Sequence, residues 1–159
     1  MEKFKYKLTS PVIMWGIIAI GGVILWYSVP RGRLFYSGMF GIALLVLGAV
    51  NWIYILVKSF SVHAKVGASV NRIDRLITEG TYAVVRHPIY AADIVFVWCI
   101  FLYYPAFVML FIAVWATIVF VFWSALEERM LEEKFLDDYR AYKQQVPRFI
   151  PRFNARRPV

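Results

Sequence analysis

One cysteine in 159 residues removes two classes of explanation at the outset. Cys99 has no second thiol for an internal disulfide, and with only two histidines the chain holds no cysteine–histidine metal set. Its place inside an apolar run fits a small packing residue. Acidic residues are also scarce, 10 against 18 Lys and Arg, for a net charge of +8. Such a balance can accompany nucleic-acid binding, but no nucleic-acid motif is present. Polar sequence is short as well: 61% of the residues are hydrophobic, too many for an ordinary soluble domain. The apolar residues fall into runs of the length that crosses a bilayer, about 20 residues each. In that setting the positive charge reads as membrane-flanking loops in contact with anionic lipid headgroups. The first apolar run is too long for a signal peptide, and no clear small-residue cleavage site follows it.

The whole chain, 1–159, reads as a single membrane domain. Its fold class is an all-α integral membrane protein with about four transmembrane helices. The spans are expected near 11–29, 35–57, 89–103 and 106–125. Trp15 and Trp26-Tyr27 stand where interfacial anchors belong. Gly41 and Gly48, seven residues apart, share a face that permits close helix approach, and Asn51 reads as an interhelical hydrogen-bond partner. The run from Ile89 to Ala125 is too long for one span. Tyr104, before Pro105, disfavours helix, so the run divides into a tight hairpin. The expected third span is short, which implies tilt or local thinning of the bilayer.

Lys58 to His87 is expected to be a long basic loop, with His63 an ordinary loop residue. Val70, Ile73, Leu76 and Ile77 recur at helical spacing and predict a short interfacial helix, with Gly80 as its C-cap. From Glu127 the last helix continues into water. Leu131, Phe135, Tyr139, Tyr142 and Val146 then give one apolar face, which predicts an amphipathic C-terminal helix. Four spans put the N-terminus, the 58–88 loop and the C-terminal segment, all rich in Lys and Arg, on one side. Only Arg31 and Arg33 face the other. The termini and the loop are therefore expected to be cytoplasmic.

A hairpin of the last two spans brings two polar clusters to one cytoplasmic end: Arg86, His87 and Tyr90 before the third span, Glu127 and Glu128 after the fourth. Pro88 suits a first helical turn, whose free N–H groups favour an anion. Together these groups can hold a zwitterionic cofactor bearing a carboxylate, an ammonium, a ribose and a positive sulfonium. Taken singly, Arg86 and His87 fit headgroup contacts, and Glu127 and Glu128 fit a solvated helix. Asp93, one turn beyond Tyr90, shares the motif's face. An intramembrane carboxylate there is a candidate for substrate binding.

The run Leu76-Ile77-Thr78-Glu79-Gly80-Thr81-Tyr82, with Val85-Arg86-His87-Pro88-Ile89-Tyr90, resembles the signature of the isoprenylcysteine carboxyl methyltransferase family. The related phospholipid methyltransferases share it in looser form. The second block, Glu127-Glu128 through Val146-Pro147-Arg148 and Pro151, is similar too, so the resemblance covers about 70–151. It implies a membrane-embedded methyltransferase that uses S-adenosyl-L-methionine and releases S-adenosyl-L-homocysteine. It further implies that Tyr82, His87, Pro88, Tyr90, Glu127, Glu128 and Arg148 form the cofactor pocket, under a C-terminal segment folded back over it. Arg86 and Glu128 are the expected catalytic residues, with Arg86 and Asp93 facing the acceptor. The expected acceptor is lipophilic: an isoprenylcysteine-like carboxylate held by Arg86, or alternatively a phospholipid amine, which would need a carboxylate base. A non-catalytic lipid- or partner-binding protein of the same fold is the third reading. Thr81 stands where many relatives carry proline, and Ala92 where many carry glycine.

Overall fold

The computed structural model describes residues 10–66 and 75–152, the side chains of 63–66 excepted. Four helices make up the described chain: α1 (Pro11–Ser28), α2 (Gly38–Val66), α3 (Pro88–Tyr103) and α4 (Phe107–Gln145). A 3-10 turn, Gly80–Ala83, precedes α3. No strand occurs among the described residues. Two of the helices begin on proline at or next to their first position, where no intrahelical N–H bond is lost. α1, α2 and α4 are long and apolar enough to cross a membrane. α3 has 16 residues and spans about 24 Å, short of the hydrocarbon thickness.

α2 packs along α3, α3 along α4, and α4 along α1. The glycines of α2 face α3 as their spacing implies. A methyl group at Gly48 would sit 2.7 Å from Cys99 Sγ, and one at Gly41 would sit 3.0 Å from the Leu102 carbonyl oxygen. Most large apolar side chains of α1 and α2 are exposed, which in water would be prohibitive and in lipid is the expected state. The two short connections meet at one end of the bundle. Leu34 N donates to Pro105 O at 2.7 Å, and Phe107 N to Gly32 O at 3.1 Å. The break at Tyr104-Pro105 is where the sequence puts it, and the α3–α4 hairpin turns at the end away from the motif.

Several expectations are revised. α2 runs to Val66, past the expected end of the second span, because no glycine or proline interrupts residues 49–66; His63 therefore belongs to a helix backbone, not to a loop. The extension lets Ser59, fully buried, share a 3.1 Å hydrogen bond with Thr81. Asn51 is exposed, and its neighbour Trp52 makes the interhelical bond instead. The helix expected around 70–77 lies in large part outside the described residues, and residues 76–78 are not helical. Gly80 does adopt a positive φ of 65°, but it opens the 3-10 turn instead of closing a helix.

The amphipathic C-terminal segment is set off from the rest of α4 by a kink: the chain reverses at Leu136 (φ 47°, ψ −118°), with helix on either side. Lys143 Nζ lies 3.2 Å from Glu132 Oε2, although eleven residues of straight helix would separate them by about 16 Å. The apolar face then closes on itself: Tyr139, Tyr142 and Val146 pack with Leu131, Phe135 and Leu76.

Candidate active site

The reversal at Leu136 carries residues 143–149 back onto the start of α3. Two main-chain bonds pair the segments, Arg86 N to Pro147 O at 2.9 Å and His87 N to Arg148 O at 3.1 Å. Tyr142 Oη adds a 2.6 Å bond to the carbonyl of Tyr82. Three stretches remote in sequence thus meet at one end of the α3–α4 hairpin.

Glu128 is the centre of this junction, with only 2% of its side chain exposed. Arg148 grips it with two nitrogens, Nε to Oε1 at 2.9 Å and Nη2 to Oε2 at 2.5 Å. Arg86 Nε and Nη2 both reach Oε1 at 2.9 Å. The remaining Arg86 nitrogen, Nη1, donates to the carbonyls of Lys143 and Val146. Every nitrogen of the Arg86 guanidinium therefore has a partner within the chain. Burial alone would raise the Glu128 carboxyl, but contacts with His87, Arg148 and Arg86 override it and hold the group well below the usual carboxylate range.

Glu127, adjacent in sequence, has opposite surroundings. It accepts from Tyr90 Oη at 2.6 Å, and its other oxygen lies 3.7 Å from His87 Nδ1. Burial pushes its carboxyl up, against the opposing pull of Tyr90 and His87. The His87 ring stacks on Tyr90 at 5.7 Å and meets Phe149 at 6.0 Å. Tyr90 in turn meets Phe120. Burial, with Glu127 close by, raises the Tyr82 phenol and keeps it protonated.

The geometry gathers seven of the sequence-selected residues, Tyr82, Arg86, His87, Tyr90, Glu127, Glu128 and Arg148, with Pro88 as the first residue of α3. Asp93 stands apart. It is 4% exposed and accepts from Trp52 Nε1 of α2 at 2.6 Å. Sequence reasoning missed Trp52, the carbonyls of Lys143 and Val146, and Phe149. Only Phe149, between Arg148 and Ile150 in the second motif block, carried a signal that could have been read.

Three buried polar atoms have no hydrogen-bond partner among the described residues: His87 Nε2, Trp123 Nε1 and Tyr139 Oη. His87 Nε2 lies 3.3 Å from Glu128 Oε1 but is poorly aligned for a bond. Trp123 is one helical turn before Glu127 and belongs to the apolar cluster containing Tyr90. The first turn of α3 also lacks a side-chain cap. Buried donors without partners are uncommon in native structures. Grouped with one strongly paired and one weakly paired carboxylate, they suit a ligand that carries both signs of charge. No metal-binding group of His, Cys, Asp or Glu occurs among the described residues.

A helical membrane protein with a buried charged cluster at one end of its bundle is the class that fold and site define. The pattern of the phospholipid methyltransferase family matches residues 36–138, more than half of the chain, and the protein belongs to that family of methyltransferases. It is also similar to methanethiol S-methyltransferase 1 of Bradyrhizobium diazoefficiens, 44% identical over 80 residues, which cover 48% of this chain. The chain spans only 26% of that relative. No solved structure matches.

Proposed function

We propose that this protein is a membrane-embedded, S-adenosyl-L-methionine-dependent methyltransferase with a lipophilic acceptor. The observation that carries the reading is the closure of the two motif blocks on Glu128, which leaves partnerless donors beside an acidic and aromatic wall. His87, Trp123 and the uncapped first turn of α3 would take the cofactor's acceptor atoms, with Tyr82 lining the pocket beside them. Glu127 and the Tyr90 face would take its cationic groups. When bound, the cofactor supplies a methyl group activated on a positively charged sulfur. The chain's part is positioning and electrostatics. The Glu128–Arg86–Arg148 junction fixes the return segment over α3, and burial among Phe120, Tyr90 and Phe149 limits water. The excess of Lys and Arg at the motif end supports a cytoplasmic site with both termini on that side. The acceptor enters from the bilayer, and membrane lipids are the surrounding partners.

The acceptor follows from what the residues leave available. An isoprenylcysteine-like carboxylate needs an orienting cation, and Arg86 was the expected one. Its full engagement weighs against that assignment and supports a positioning role. A phospholipid amine suits the family to which the chain belongs, and the methanethiol relative supports a thiol.

Isothermal titration of the detergent-purified protein with S-adenosyl-L-homocysteine tests the proposal. One-site binding is expected for wild type and a loss of at least tenfold in affinity for His87→Ala. Absence of binding by a well-folded wild type overturns the enzyme reading and favours a non-catalytic lipid- or partner-binding role.

A further inference from the structure

α1 is the least attached helix of the bundle. It packs on α4 and makes no comparable contact with α2 or α3. Val12, Ile20, Val23 and Ile24 are more than half exposed, the state expected of a face turned to lipid. Only one residue of α1 is buried, Met14, at 1% exposure. Met14 belongs to one core cluster with Tyr90, Phe120 and Trp123, the aromatic wall of the candidate site. Depth agrees with that placement. The link after α1 meets Pro105 at the far end of the bundle, so α1 begins at the motif end. Met14 stands in the first turn of α1, as Tyr90 does in α3. The helix is fastened further along. A methyl group added at Gly21 would collide with the Trp115 ring, and Trp115 Nε1 donates to Ile17 O at 3.4 Å. α1 is therefore seated on α4 near Ile17 and Gly21, and Met14 is the side chain it sends into the wall of the site.

Building on the methyltransferase reading, we propose that Met14 is a specificity-determining residue: it closes the bilayer side of the site and sets how much bulk an acceptor can carry beside its reacting atom. In that reading the polar side of the cluster, His87 and Glu127, receives the cofactor, and the acceptor comes from the apolar side. Phe120 and Trp123 on that side belong to α4, which is packed by both α1 and α3. The Phe120 ring is held between Trp15 and Tyr90, at 5.6 and 5.8 Å. Met14 comes from the outermost helix, and its thioether chain is unbranched and freely rotating. It is the member of the wall that yields most easily. A slender chain end is admitted by a change of Met14 rotamer, whereas a branch beside the reacting atom needs more room than that change releases. The acceptor is therefore unbranched at that position. α1 also precedes residues 36–138, on which family membership rests, so a residue here can set this chain apart from its relatives.

The test uses the full chain in detergent micelles with dodecanethiol, dodecylamine and dodecanoate as probes. Each is offered straight and with a methyl branch on the carbon that bears the reacting group. Wild type is expected to prefer the straight form of whichever probe it methylates. Met14→Ala should raise the branched-to-straight ratio of kcat/KM by about tenfold, the scale at which an apolar pocket discriminates a single methylene. Met14→Val, which removes less of the side chain, should move the ratio the same way by about threefold, and it decides the matter if Met14→Ala fails to fold. Affinity for S-adenosyl-L-homocysteine should stay within about threefold of wild type in both variants. A merely structural Met14 would lower turnover of both forms alike. An unmoved ratio in the variants that fold overturns the proposal. So does a parallel fall in cofactor affinity and turnover, equal use of straight and branched forms by the wild type, or methylation of none of the probes. Failure of the methyltransferase reading itself is distinct: there the wild type does not bind S-adenosyl-L-homocysteine.

Discussion

Replacing Glu128 with glutamine keeps the shape of the side chain and removes the charge on which two arginines converge. The cost is dominated by Arg86, 9% exposed, whose Nε and Nη2 both rest on Glu128 Oε1. Stripping a buried cation of its counter-charge costs about 3–5 kcal/mol. Arg148, 33% exposed, reaches water and adds at most about 1 kcal/mol. At about 2–4 °C per kcal/mol for a chain of this size, the melting temperature should fall by roughly 10 °C. The pH dependence gives a second reading. The Glu128 carboxyl is depressed in the folded state, so the unfolded chain binds a proton more readily. The stabilisation is therefore fully present above the ordinary value of 4.5 and lost as pH falls below it. The gap between wild type and Glu128→Gln should be constant from pH 8 to about 5 and narrow toward pH 3. Thermal unfolding of both proteins in one detergent, scanned across pH, measures it. Equal melting temperatures at pH 7, or a gap that widens in acid, would refute the reasoning.

Three further outcomes follow from the packing. Gly48→Val should destabilise the α2–α3 contact by about 1–3 kcal/mol, since even the first added carbon meets Cys99 Sγ at 2.7 Å and Cβ at 2.9 Å; a melting curve no lower than wild type would contradict it. Leu136→Gly should raise stability by about 1 kcal/mol, because the φ of 47° is strained for leucine and the side chain, 59% exposed, gives up little burial; calorimetry checks it. Trp52→Phe leaves Asp93 without its only hydrogen-bond donor among the described residues and should cost about 1–3 kcal/mol. Most of that loss should vanish on an Asp93→Leu background, a coupling that a double-mutant cycle measures.

The helical hairpin and the meeting of Arg86–Tyr90 with Glu127–Glu128 were readable in the sequence. Both follow from run length, one proline and the requirement that chain ends share a side. What periodicity does not encode is partner choice. Arg86 was read as a group reaching outward to substrate, whereas it turns inward to Glu128 and two carbonyls of the return segment. Those carbonyls leave no trace in residue type. Leu136 gave no warning of a reversal either, because leucine is among the better helix formers and the strain is held by contacts on both sides. Asn51 and Trp52 show the same limit: the more polar residue drew attention, but helix rotation gave the bond to its neighbour.

The main-chain bonds from Arg86 and His87 to Pro147 and Arg148 have a consequence for order of assembly. All four helices can form before residues 146–149 are in place, and until then Glu128 lacks Arg148, and Arg86 lacks the carbonyl of Val146. Helix formation and closure of the site are separable, and the second waits on a few residues that follow the last helix. A chain stopped at Gln145 would keep its helices, with the junction on Glu128 unlatched.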